Sequence, residues 1–219
     1  PNEYRVGDGW APFETEQVIL RSKDAAPRTL TLRRTRNGPV LPGGVYDLAT
    51  ITPQGHVITL AWSVLDPNDT TLSAVTALNR AGSVEEALDV ASGIVGPAQV
   101  LTLADRDHIA MQVTGALPAR SPRHETQGRL PARGWIDDNR WQGYFPYSDN
   151  PRFRDPEGGI LGNTNNKIVD QPFPHHVSFA WGDTQRVQRW QRLMQMRQVH
   201  TRESFVEAQL DTVSTSART

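Results

Sequence analysis

The order in which hydrophobic periodicity changes along the chain constrains its fold more than any single motif. Residues 17–21 (QVILR) and 29–33 (TLTLR) are β-favouring runs, the second alternating cleanly, and the turn-like KDAAP between them proposes a hairpin. Residues 57–62 (VITLAW) read as a largely buried strand. The pattern then becomes helical. Asp69 can cap a helix through Leu72, Val75 and Leu78, and Ser83 with Glu86 makes a capping-box pattern for a second helix through Leu88 and Val90. Residues 100–103 and 108–113, on either side of Asp105-Arg106-Asp107, return to strand character and suggest a second hairpin. Blocks of strands, then helices, then strands predict an α+β fold with antiparallel pairing. Asp183 can cap a further helix with Val187, Trp190 and Met194 on one face and Arg186, Arg189, Arg192 and Arg197 elsewhere, and a last helix covers 201–210 (TRESFVEAQL).

A chain of 219 residues is long enough for one domain with a substantial core, and 1–219 is read as a single domain. Its least periodic part is 115–157, rich in Pro, Arg, Asn and aromatic residues. So long an irregular loop is expected to wrap another part of the molecule, with Trp135, Trp141, Tyr144, Phe145 and Tyr147 anchoring it by burial rather than stacking on a substrate. Arg33, Arg34 and Arg36 suggest a solvated strand edge in preference to a phosphate site.

Lys and Arg number 23 against 24 Asp and Glu, so the formal net charge of -1 gives no electrostatic reason to bind nucleic acid or an anionic membrane. The chain has no cysteine, which excludes a thiolate nucleophile, a disulfide framework and a cysteine-ligated metal. No apolar run reaches membrane-spanning length and no signal peptide is apparent, so a soluble chain is expected. Pro1-Asn2 at one end and DTVSTSART at the other read as abrupt ends, as an internal piece of a longer protein would have.

The most chemical stretch is 158–186, GGILGNTNNKIVDQPFPHHVSFAWGDTQR. Ile160 and Leu161 end a short apolar segment, Gly162 releases the chain, and side-chain amides gather at Asn163, Asn165 and Asn166. An Asn amide can donate to a developing oxyanion without carrying a charge that must be desolvated. The plainer reading of such a cluster is a turn.

Several strings, in order, resemble the penicillin acylase family of N-terminal-nucleophile amidohydrolases: RRTRNGPVLPG (33–43), LAWSVLDPND (60–69), LNRAGSVEEAL (78–88), GPAQVLTLADRDHIA (96–110) and GWIDDNRWQGYFPYSDNPRFRDPEGGILGNTNNKIVDQPFPHH (134–176). The resemblance covers nearly the whole chain. It implies part of an αββα sandwich and an internal piece of the large (β) subunit, partnered by the small subunit and the rest of the large one. It also implies a bacterial periplasmic or secreted protein. Such enzymes hydrolyse a linear amide, the acyl side chain of a β-lactam or an N-acyl homoserine lactone, with the first residue of the large subunit, whose own α-amino group is the base. Residue 1 here is Pro, which has no hydroxyl, so the nucleophile is expected upstream and the chain alone is expected to be inactive.

By motif, Asn165 matches the family's oxyanion-hole asparagine and Arg186, in W-G-x-x-x-R, the arginine beside the nucleophile's amine. Gln99, in GPAQ, falls near a pocket-wall, substrate-binding position, where a strand-end polar residue is the plainer reading. Some members bind a structural calcium through carboxylates mostly upstream; where one later ligand falls, this chain has His175 or His176. Neighbours in an extended strand face opposite ways and chelate poorly, so no metal and no other cofactor is expected in this chain. A non-catalytic binding or scaffolding module on the same fold is the alternative, and the upstream reading frame separates the two. A self-contained hydrolase is disfavoured, because Ser63 and Ser178 lie in no glycine elbow.

Overall fold

The computed structural model describes residues 1–169 and 175–218. In chain order its strands and helices are β1 (Glu3–Val6), β2 (Gly9–Pro12), β3 (Glu14–Ser22), β4 (Ala25–Thr35), β5 (Gly38–Pro39), α1 (Leu48–Ile51), α2 (Thr71–Leu78) and α3 (Val84–Ala91). They continue with β6 (Val100–Ala104), β7 (Ile109–Val113), β8 (Pro118–Arg120), β9 (Trp141–Tyr144), β10 (Arg152–Arg154), α4 (Gln185–Gln195) and α5 (Arg202–Gln209). Every pairing between these strands is antiparallel, and with the helices they make an α+β fold. Among the described residues no helix is long and apolar enough to cross a membrane.

Where sequence length suggests one domain, the chain divides into two compact units, Pro1–Asp69 with Pro118–Phe145, and Thr70–Leu117 with Pro146–Thr219. Each gathers its own buried residues, which length alone does not reveal: Phe13, Thr35, Ser121 and His124 in the first, and a set from Ala74 to Ser204 in the second.

The first unit is built on the expected hairpin, longer than its sequence signal. β3 and β4 pair from Glu14↔Arg34 to Ser22↔Ala25, leaving only Lys23 and Asp24 in the turn. The arginines after it are tied down locally. The Arg33 guanidinium lies 4.9 Å from the ring centroid of Phe13, and Arg36 pairs with Asp137 at 2.8 Å. The strand expected at 57–62 is reduced to a single bridge, Val40↔Thr59, flanked by Leu41 N–H donating to Ile58 O and Leu60 N–H to Pro39 O. Proline supplies no N–H to a ladder, and Pro39 and Pro42 bracket the segment that would have to pair.

The second unit holds the larger core. β7 lies between β10 and β6, and Ala110, Met111, Gln112 and Val113 on it are buried. Helices α2 and α3 supply two apolar clusters, Ala74–Ala91–Ile94 with Leu78, Leu101 and Tyr147 against it, and Val84–Leu88–Ala110 with Leu103. Ser83 caps α3 as its sequence indicates, its hydroxyl accepting from Glu86 N–H, while the Glu86 carboxylate accepts from Gly82 N–H. The start of α2 differs from expectation: its N-cap is Thr70, not Asp69, and the Thr70 hydroxyl donates to Gly93 O at 2.6 Å.

The stretch 115–157 is less irregular than its composition suggests, since it carries β8, β9 and β10, and β10 completes the sheet of β7. Its pairing depends on distant partners, so no local periodicity announces it. Trp135 sits 5.9 Å from His56, Trp141 lies 6.0 Å from Tyr144, and Tyr147 packs on the Ala74 cluster.

Candidate active site

The amide cluster lies in the second unit, in a loop facing the start of α4. Residues 170–174 of the sequence motif fall outside the described residues. Asn165 occupies the left-handed region at φ 69°, which Asn tolerates better than other side chains with a Cβ. Local hydrogen bonds hold it there. Its N–H donates to Asn163 Oδ1 at 2.8 Å, and its carbonyl accepts from Gly182 N–H at 2.7 Å.

Gly182 is required by this close approach: a Cβ there would lie 2.8 Å from Asn165 O. Asn166 also forms an isolated parallel bridge with Gly182. The loop and the segment leading into α4 are thereby fastened side by side.

Arg186, in the first turn of α4, completes the arrangement. Its Nη2 donates to Thr164 O at 2.5 Å and to Asn165 Oδ1 at 2.8 Å. Because the guanidinium is donor-only, it fixes the carbonyl end of the Asn165 amide inward and turns Nδ2 away. Among the described residues Nδ2 has no hydrogen-bond acceptor of its own, so two N–H bonds are available to an outside oxygen. Asn165 and Arg186 are both solvent-exposed in this chain. One helical turn beyond Arg186, Trp190 packs so closely over Gly162 that a Cβ on that glycine would overlap its ring.

The two residues assigned by motif are therefore in direct contact. Gln99 is not joined to them by any hydrogen bond among the described residues; its backbone is bonded to Thr114, whose N–H donates to Gln99 O at 2.8 Å. Asn163 and Asn166, which no motif singled out, carry much of the loop's hydrogen bonding. The amide-rich string NTNN was their only signal.

His175 Nε2 lies 3.3 Å from Asp149 Oδ2, while the His176 ring stacks 3.9 Å from Phe179. Among the described residues no group of three or more His, Asp or Glu side chains gathers as a metal site would require. Calcium takes oxygen ligands, so two imidazoles with different partners do not fit it.

The family model for penicillin amidase matches residues 1–219. The acyl-homoserine lactone acylase QuiP of Pseudomonas aeruginosa is 30% identical over 216 residues, covering 96% of this chain and 25% of that protein. The penicillin G acylase of Escherichia coli is 27% identical over 203 residues, covering 90% of this chain and 22% of its own length. Among solved structures, the thermostable penicillin G acylase from Alcaligenes faecalis matches with a TM-score of 0.78 at 23% identity, over 94% of this chain and 35% of that one. That likeness carries the fold. The chain spans about a quarter of the length of the QuiP acylases it matches.

Proposed function

The chain belongs to the penicillin amidase family, and from that premise we propose that it forms part of a hydrolase of linear amides in which Asn165 stabilises the oxyanion and Arg186 holds Asn165 in place. The relatives named above are acylases, which supports amide hydrolysis as the reaction class. The bond attacked is the carboxamide that a β-lactam side chain and an N-acyl homoserine lactone share. The nucleophile and its base come from polypeptide outside these 219 residues, as do the small subunit and the rest of the large one.

The chemistry follows from that division. A terminal hydroxyl attacks the acyl carbon and gives its proton to the adjacent α-amino group, while negative charge develops on the former carbonyl oxygen. Asn165 Nδ2 donates to that oxygen. The tetrahedral species collapses, the C–N bond breaks and the leaving amine takes the proton. Water then releases the acyl group by the same route. A neutral donor suits the task because it carries no charge that must be desolvated in the site. The Arg186 cation, close to the base, lowers the amine's pKa and keeps it free to accept a proton.

The observation that carries this reading is the single guanidinium that turns Asn165 Oδ1 inward and leaves Nδ2 outward. It is tested by Asn165→Ala in the full-length protein with penicillin G and a long-chain N-acyl homoserine lactone as substrates. The expected result is a fall in kcat of roughly a hundredfold or more, the scale of one oxyanion donor. A fall below about threefold removes Asn165 from the mechanism. Unmodified full-length protein that hydrolyses neither substrate favours a binding module.

A further inference from the structure

We propose that Asn166 is a positioning residue for the oxyanion donor: it does not meet substrate but closes the loop that presents Asn165. The inference rests on the role assigned to Asn165 above. Its own basis is the set of hydrogen bonds that converge on Asn166 Oδ1, which accepts from Thr164 N–H at 3.0 Å, from the Thr164 hydroxyl at 3.3 Å and from Asn163 Nδ2 at 3.3 Å. Asn163 Nδ2 also donates to Asn166 O at 3.1 Å, and Asn166 Nδ2 donates to Lys167 O at 2.9 Å.

Asn163 and Asn166 thus bracket Asn165 from both sides. Asn163 Oδ1 takes the N–H of Asn165, while Asn166 Oδ1 takes the N–H of Thr164, the residue whose carbonyl Arg186 also holds. The peptide group before Asn165 therefore has both polar atoms fixed, and the peptide after it is held through Asn165 O and Gly182 N–H. A left-handed residue is stable only where its surroundings over-determine it. Exposure separates the roles: Asn165 is exposed and Asn166 half-buried. Without the Asn166 acceptor the Asn163–Thr164 peptide, whose N–H it takes, and the Asn163 amide, whose Oδ1 holds Asn165 N–H, each lose a restraint, and the Asn165 amide loses its aim before it loses any contact with substrate.

Such misplacement lowers the rate of the chemical step more than it weakens substrate binding. In the full-length acylase, with penicillin G and a long-chain N-acyl homoserine lactone, Asn166→Ala is expected to lower kcat by about 10- to 100-fold with KM within about threefold. Asn166→Asp keeps an acceptor oxygen for all three donors and is expected to recover kcat to within about threefold of the unmodified enzyme. The double variant Asn165→Ala/Asn166→Ala is expected to be no slower than Asn165→Ala alone, because residues acting as a unit are not additive.

An Asn166→Ala enzyme at full rate, an Asp variant no better than Ala, or multiplicative losses in the double variant each overturn the proposal. If Asn166→Ala does not fold, Gly182→Ala replaces it, since its Cβ would press on Asn165 O. That variant must then lose kcat without further loss in the Asn165→Ala background, and additive loss overturns the proposal. An Asn165→Ala enzyme at full rate defeats the earlier reading instead.

Discussion

Arg186 Nη2 donates to Asn165 Oδ1 at 2.8 Å and to the carbonyl of Thr164, so one cation at the start of α4 fixes both the backbone and the amide of the candidate oxyanion donor. In the proposed mechanism three functions would reside in one side chain: it orients Nδ2, restrains the loop, and would bring positive charge close to the base. The first two need hydrogen bonds, whereas the third needs only charge.

That separation predicts how Arg186 variants of the full-length protein behave. Arg186→Leu removes all three functions and is expected to lower kcat by on the order of a hundredfold, the scale of a ~1 Å misplacement of a catalytic group. Arg186→Lys keeps the charge but not the planar fork, and is expected to fall between the two. A second readout is the acidic limb of kcat/KM against pH, which reports ionisation of the free enzyme's base. Loss of a neighbouring cation raises an amine's pKa, so the limb should move to higher pH in Arg186→Leu and stay in Arg186→Lys. An unmoved limb in the Leu variant would show that Arg186 acts only as a brace.

One turn later on the same helix, Trp190 presses on Gly162 at the entry to the amide loop. Gly162→Ala has to displace either the indole or the loop, and overpacking of this kind costs about 1–3 kcal/mol. The expected outcome is a lower thermal midpoint that Trp190→Leu in the same molecule largely restores. If the two losses simply add, the contact does not limit the loop.

The fold and the site were legible in the sequence to different degrees. Elements whose signals are local came through: the capping residue Ser83, the alternation of residues 29–33 and the apolar face of Val187, Trp190 and Met194 match α3, β4 and α4. Residues 57–62 look like a strand in isolation because their apolar run is real, but a strand needs a partner with free N–H groups and the facing segment contains Pro39 and Pro42. β10 failed the other way, since RFR has no period of its own and is a strand only because β7 supplies a free edge. At the site, motif matching picked out Asn165 and Arg186, yet nothing in their spacing says that one guanidinium bonds to the other residue's side-chain oxygen. The bracketing roles of Asn163 and Asn166 depend on backbone at φ 69°, which a string of amides permits without dictating.

Leu88 on α3 is 2% exposed and sits between Val84 and Ala110 where the helix meets β7. Leu88→Ala leaves a cavity that neighbours fill only in part, and the expected cost is about 2–5 kcal/mol. Denaturant unfolding should show a reduced midpoint with an unchanged slope. A cost below ~1 kcal/mol would mean that the cluster collapses around the missing side chain.

His124 supplies the prediction for pH. It is 8% exposed, and its Nδ1 accepts from two backbone groups, Thr126 N–H at 3.2 Å and Gln127 N–H at 3.1 Å. The ring is therefore neutral with its proton on Nε2, and protonating Nδ1 would set an N–H against two others. Burial, and then the nearby Arg120 cation, hold its pKa below the ordinary 6.5, with Glu125 pulling weakly the other way. A folded-state pKa below the unfolded one means that the unfolded chain takes up the proton more readily. The contribution is therefore complete above about pH 6.5 and is lost as pH falls from there towards the folded value. Carboxylates held low, such as Asp105 through backbone N–H groups and Glu125 through Arg133, lose their own contributions only below their ordinary values of 3.8 and 4.5. The interval between roughly pH 5 and 7 thus separates this loss from that of the carboxylates. His124→Asn places an oxygen where Nδ1 stood, accepts from the same two N–H groups and does not titrate. Its thermal midpoint should fall less across that interval than that of the unmodified protein, and parallel curves would mean that the two backbone bonds survive protonation.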